Sequence, residues 1–124
     1  MKSILLVGLG GGIGSILRYL TGVFFEKYSQ HAFPFATFTV NFVGCLIIGA
    51  LIGLIDRQHI TNPDFKFLLI TGFCGGFTTF SAFSAETLNL FNSGYTFLAF
   101  TYIIASVVLG LLAVWAGLSL VKIA

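Results

Sequence analysis

A chain of 124 residues in which 57% are hydrophobic and 8% charged lies far from soluble domains, where roughly a quarter of residues are charged. Six basic residues against four acids give a formal charge of +2, too thinly scattered for a nucleic-acid surface. An ordinary water-soluble fold is excluded, and the length suits one domain held in lipid.

A helix that crosses a hydrocarbon core of about 30 Å needs about 20 apolar residues at about 1.5 Å each. The first stretch of that length runs from Ile4 to Phe25. Lys2 leads directly into it with no polar region carrying a small-residue cleavage site, so the segment is expected to be retained rather than removed as a signal. Its cluster "GLGGGIGSILRY" fits neither GxGxxG nor GxxxxGK[ST] and has no strand context, so close helix packing is the better reading than phosphate binding. Arg18 lies deep in this span, where a guanidinium costs at least a few kcal/mol. It either snorkels to the nearer interface or faces a wet vestibule, where its charge would attract anions.

After the connector "EKYSQHAFP" a second span is predicted from Phe35 to Ile55. Thr37 and Asn41 stand one helical turn apart, and Gly44 continues their face. Two readings stand side by side: an interhelical hydrogen bond worth about 0.6 kcal/mol, or an amide donor aimed into an anion path. "DRQHITNPD" then leads to a third span from Phe67 to Phe91, which contains "GFCGGFTTFSAFSAE" at 72–86. A helix runs into Gly75 and Gly76, and another starts after Thr78 and Thr79, hydroxyl residues suited to capping a helix start. Non-helical backbone at membrane depth survives only where protein or a cavity satisfies it, and freed carbonyls can coordinate a cation such as Na⁺.

Beyond the break, Phe80 and Phe83 fall on one surface of the helix, while Thr79, Phe83 and Glu86 share a second face. A ring edge is positive and can meet an anion. Phenylalanines at helical spacing are, however, ordinarily core or lipid-facing residues. "NSG" at 92–94 introduces a fourth span from Phe97 to Val121, with Tyr102, Ser106 and Gly110 at intervals of four and small residues continuing through Ala113 and Gly117. That face suits a narrow polar file or helix packing. Cys45 and Cys74 lie in apolar stretches without CxxC spacing and read as small buried hydrophobes.

Short connectors make successive helices antiparallel neighbours. An even number of spans puts Lys2, Arg57, Lys66 and Lys122 on one side, and Lys27, with Arg18 if it reaches that interface, on the other. The bias weakly favours cytoplasmic termini. Four helices cannot enclose a wide channel, so transport would call for an oligomer. GxxxG pairs at Gly8 and Gly12, Gly10 and Gly14, Gly49 and Gly53, and Gly72 and Gly76 offer surfaces for close helix approach.

Taken together, "GGGIGSILRY", "TFTVNFVGCLIIG" and "GFCGGFTTFSAFSAE" resemble the Fluc (CrcB) fluoride ion channel family. The resemblance implies an all-α integral membrane protein with four transmembrane helices per subunit, helix 3 broken near its middle, assembled as an antiparallel dual-topology homodimer. It implies a passive, highly fluoride-selective channel with two pores, exporting cytoplasmic fluoride across the inner (plasma) membrane of a microbe. By position, Phe80 and Phe83 would meet fluoride through ring edges and Asn41 would donate its amide hydrogens nearby. Thr37, Glu86, Tyr102 and Ser106 would form a polar track, with Arg18 at the vestibule. Gly75 and Thr78 would give backbone carbonyls to a structural Na⁺ at the dimer interface. Relatives can carry a further hydroxyl where Gly110 stands.

Other classes fit less well. Small multidrug exporters need an acid within their first span, whereas no acid precedes Glu26 at the end of this one. A non-transporting assembly factor would tolerate apolar replacement of the polar positions. An enzyme lacks its tools, for there is no Ser/His/Asp set or carboxylate pair, and His31 and His59 lie in connectors.

Overall fold

A computed structural model describes residues 1–124 as an all-helical chain. Its helices are α1 (Lys2–Tyr28), α2 (Phe35–Asp56), the single turns α3 (Pro63–Phe65) and α4 (Gly75–Phe77), α5 (Phe80–Asn92) and α6 (Thr96–Ile123), with a π-helical stretch Lys66–Cys74 between α3 and α4. Four segments are long and apolar enough to cross a membrane: α1, α2, the composite Pro63–Asn92 and α6. The outer two run past their predicted ends, from Lys2 to Tyr28 and from Thr96 to Ile123, because the charged and aromatic residues that flank each apolar run continue the helix into the interface.

Local chemistry sets the ends. α2 follows Pro34 and closes with Gln58 N–H on Ile55 O and His59 N–H on Leu54 O, both at 2.9 Å, the paired bonds of a Schellman cap. Gln58 occupies the left-handed position of that cap, with φ of 61°, where a side chain is disfavoured by about 1 kcal/mol or more. Gln58→Gly is therefore expected to stabilise the protein by roughly 0.5–1 kcal/mol, read as a higher thermal unfolding midpoint in detergent. A lower midpoint would show that the glutamine side chain makes a compensating contact. The third span starts where the Asn62 side chain accepts the Asp64 N–H with Pro63 in the first turn, and Lys2 Nζ meets Asp64 at 2.6 Å. At the same end Arg57 Nη2 donates to Lys122 O at 2.8 Å.

Packing follows the glycines. Cβ atoms at Gly10 and Gly14 would collide with the backbone of the π-helical stretch, at Gly76 with Gly11, and at Gly49 and Gly117 with the facing backbone of α6 and α2. Two helix pairs result, α1 against residues 66–77 and α2 against α6. Gly8 and Gly12, in contrast, have nothing within 4 Å of where a Cβ would stand, so that GxxxG pair packs on nothing within the chain. The π stretch itself was not legible, because "KFLLITGFC" has no polar rhythm by which a wider turn could be told from an α-helical one.

Only 16 of the 124 residues are buried, so the helices cover one another thinly. The one compact core is Leu90, Ala99 and Tyr102, ringed by Phe33, Phe38, Phe83, Phe91 and Leu98. It joins the last turns of α5 to the first turns of α6.

Candidate functional site

Helical backbone stops at Phe77 and resumes at Phe80, with Thr78 (φ −86°, ψ 158°) and Thr79 (φ −149°, ψ 123°) extended between. Most polar groups of these two residues have partners, and the Thr78 carbonyl has no hydrogen-bond donor. Thr79 Oγ1 caps α5 by accepting the Ala82 N–H at 3.2 Å, and Thr78 Oγ1 donates to Cys74 O at 2.8 Å. Asn41, on α2, grips the backbone of Thr79 from both sides: its Oδ1 accepts the Thr79 N–H at 2.8 Å, and its Nδ2 donates to the Thr79 carbonyl at 3.0 Å. One Nδ2 hydrogen remains free for a further acceptor. Of the two sequence readings, the interhelical bond is thus present, and the amide keeps a donor as well.

Arg18 belongs to the same junction. Its Nε donates to the Gly76 carbonyl at 3.0 Å, and its side chain borders a cavity of about 330 Å³ together with Thr37 and Thr79. The guanidinium is placed against the last turn before the break, where helix carbonyls carry partial negative charge. Sequence could find the arginine but not this partner, which lies 58 residues away.

On the far side of the break, Thr37 and Tyr102 converge on Glu86. Thr37 Oγ1 donates to Oε2 at 2.8 Å and Tyr102 Oη to Oε1 at 3.1 Å. Tyr102 is fully buried and Thr37 nearly so, so the carboxylate takes its bonds from groups that have exchanged water for it. The Phe83 ring stands edge-on to Tyr102, centroids 4.9 Å apart, and 5.8 Å from the Phe80 ring. Phe80 is 78% exposed, which sets it apart from Phe83 in the wall of the core.

Ser106 lies one turn beyond Tyr102. Its Oγ is buried without a protein partner and borders a small cavity of about 20 Å³ with Asn41, Cys45 and Gly110, about the room one water-sized acceptor needs. A Cβ on Gly110 would meet only the Cys45 sulfur, at 3.7 Å. The predicted face of Tyr102, Ser106 and Gly110 therefore turns inward, towards Asn41 and Glu86.

Gly75 and Thr78 border a larger cavity of about 390 Å³ lined by α2 and the third span, with Asn41, Thr79 and Phe80. Gly75 is exposed. The N–H that would close a helical turn onto its carbonyl, that of Thr79, is given to Asn41 instead. No three His, Cys, Asp or Glu side chains gather anywhere in the chain, and the oxygens that border this cavity are those of backbone, Asn41 and threonines. Cys45 and Cys74 are free and border the same cavity.

Comparison with known proteins gives one consistent result. The family described as CrcB-like protein, Camphor Resistance (CrcB), matches residues 5–118. A protein of Flavobacterium psychrophilum named fluoride-specific ion channel FluC is 52% identical over 122 residues, 98% of both chains. Proteins of the same name from Methylobacillus flagellatus and Phocaeicola vulgatus are 48% and 52% identical, over 98% and 95% of this chain and 96% and 97% of their own.

Proposed function

The chain belongs to the CrcB family, one of ion channels rather than enzymes, and from that membership we propose that it is a passive, highly selective fluoride channel exporting fluoride from the cytoplasm. The observation that carries the proposal is the convergence of Thr37, Tyr102 and Glu86 beside the Phe83 and Phe80 rings, in a chain whose relatives bear the name of fluoride channels.

Fluoride is small and strongly hydrated, so its path must offer many modest donors in succession rather than one deep trap. Ring edges of Phe80 and Phe83 face the ion with partial positive charge. The free Nδ2 hydrogen of Asn41 and the unpartnered Ser106 hydroxyl supply donors on the other wall. Glu86 holds the Thr37 and Tyr102 hydroxyls in place, and each serves the ion by turning its single hydrogen away from the carboxylate.

The active form is an antiparallel dual-topology homodimer with two pores, in the inner membrane of a bacterium. The exposure of Phe80 and Gly75 beside an open cavity supports a second copy on this face. The Gly75 and Thr78 carbonyls suit half of an oxygen shell for a structural Na⁺, since Gly75 lacks its helical donor and Thr78 is extended. Bound there, the ion would supply positive charge that joins two broken spans.

The test is release of fluoride from liposomes containing the purified protein, followed with a fluoride-selective electrode beside chloride release. Rapid, electrogenic fluoride loss without comparable chloride loss is expected. Folded protein that releases no fluoride would sink the proposal.

A further inference from the structure

The cavity that borders Arg18 has a second charged wall. Glu26, eight residues further along α1, borders it too, together with Tyr19, Thr37 and Thr79. A neighbouring cavity of about 200 Å³ shares Gly22, Glu26 and Ala36 with the first and extends past Ser29 and His31 to the surface connector. The two form one groove from the connector down to the break, and Glu26 stands where they join.

The charges along this groove are not paired with each other. The one ion pair in the chain is Lys2 with Asp64, at the opposite end of α1. Arg18 is bound to the Gly76 carbonyl, and Lys27 turns its ammonium over the Tyr28 ring, 5.4 Å from the centroid. Glu26 is exposed and accepts no side-chain hydrogen bond. Eight residues of helix set the backbones of Glu26 and Arg18 about 12 Å apart along the axis, and no ion pair joins the two side chains. Glu26 at the mouth and Arg18 at the break thus border the groove with opposite charges, and Lys27 borders neither cavity.

We infer that Glu26 controls the rate at which anions enter, as a fixed negative charge that lowers their concentration at the mouth of the groove. The inference rests on reading the chain as a fluoride channel. It makes Glu26 a rate-determining residue that no pore motif contains, and it separates two roles that both charges would otherwise share: Arg18 braces the break, and Glu26 gates supply.

The full-length protein in liposomes tests this, with fluoride release measured at ionic strengths of about 10 mM and about 1 M set by an impermeant salt, where screening lengths are about 30 Å and about 3 Å. Glu26→Gln is expected to speed release about threefold at low salt and to match the unaltered protein at high salt, as steered entry does. Glu26→Lys should exceed Glu26→Gln, and Glu26→Asp should stay at the original rate. A Gln variant no faster at low salt, a gain undiminished at high salt, or a Lys variant slower than Gln overturns the inference. Absence of release from the unaltered protein would bring down the channel reading and this with it. Normal release that ignores Glu26 brings down this alone.

Discussion

Phe83→Ile and Phe80→Ile are each expected to slow fluoride release by about 100-fold, equivalent to roughly 2.7 kcal/mol of added barrier. Isoleucine keeps apolar volume but has no positive ring edge, so the ion would shed water with nothing offered in return. The two variants should differ in stability. Phe83 packs edge-on to Tyr102 and against the buried core, so its loss also lowers the unfolding midpoint. Phe80, 78% exposed, should leave the isolated fold unchanged. Phe97, 85% exposed in the first turn of α6, is the control: Phe97→Ile should release fluoride at the original rate. Equal rates for all three variants would mean that the rings only pack.

Asn41 is the second position with a large expected effect, and two substitutions separate its two duties. Asn41→Ala removes both bonds to Thr79 and leaves a backbone N–H and carbonyl unsatisfied, at about 1–3 kcal/mol each. The unfolding midpoint should fall and release should cease with it. Asn41→Asp can still accept the Thr79 N–H but cannot donate to its carbonyl, and it sets a negative charge beside the anion path. Release should drop more than the midpoint does. Unchanged flux with an aspartate shown spectroscopically to be ionised would remove Asn41 from the path.

The four spans were legible because nothing but length and hydropathy decides them, and the extended backbone at Thr78 and Thr79 falls within "CGGFTT", which combines residues that helices in lipid avoid. Partners were not legible. That Glu86 would gather Thr37 from 49 residues upstream and Tyr102 from 16 downstream depends on how α2 and α6 pair, which glycine positions permit but do not specify. Gly8 and Gly12 have the same GxxxG spacing as Gly10 and Gly14, yet only the latter two meet the third span. Which face of a glycine-rich helix turns inward is settled by the partner's shape. Glu26 figures in the sequence only as the acid that ends the first span, for a related reason. At a span's end a carboxylate reads as ordinary interface, until the groove it borders is seen.

The grip of Asn41 on Thr79 also bears on how the protein is made. The Thr79 N–H and carbonyl lie at membrane depth, and no residue of the third span supplies their bonds. In hydrocarbon such groups are too costly to leave bare, so the third span on its own would close into an uninterrupted helix. Chain order resolves this, because the ribosome delivers α2 before residues 78 and 79. The interruption can therefore form as the third span enters the bilayer, with the second span serving as its template.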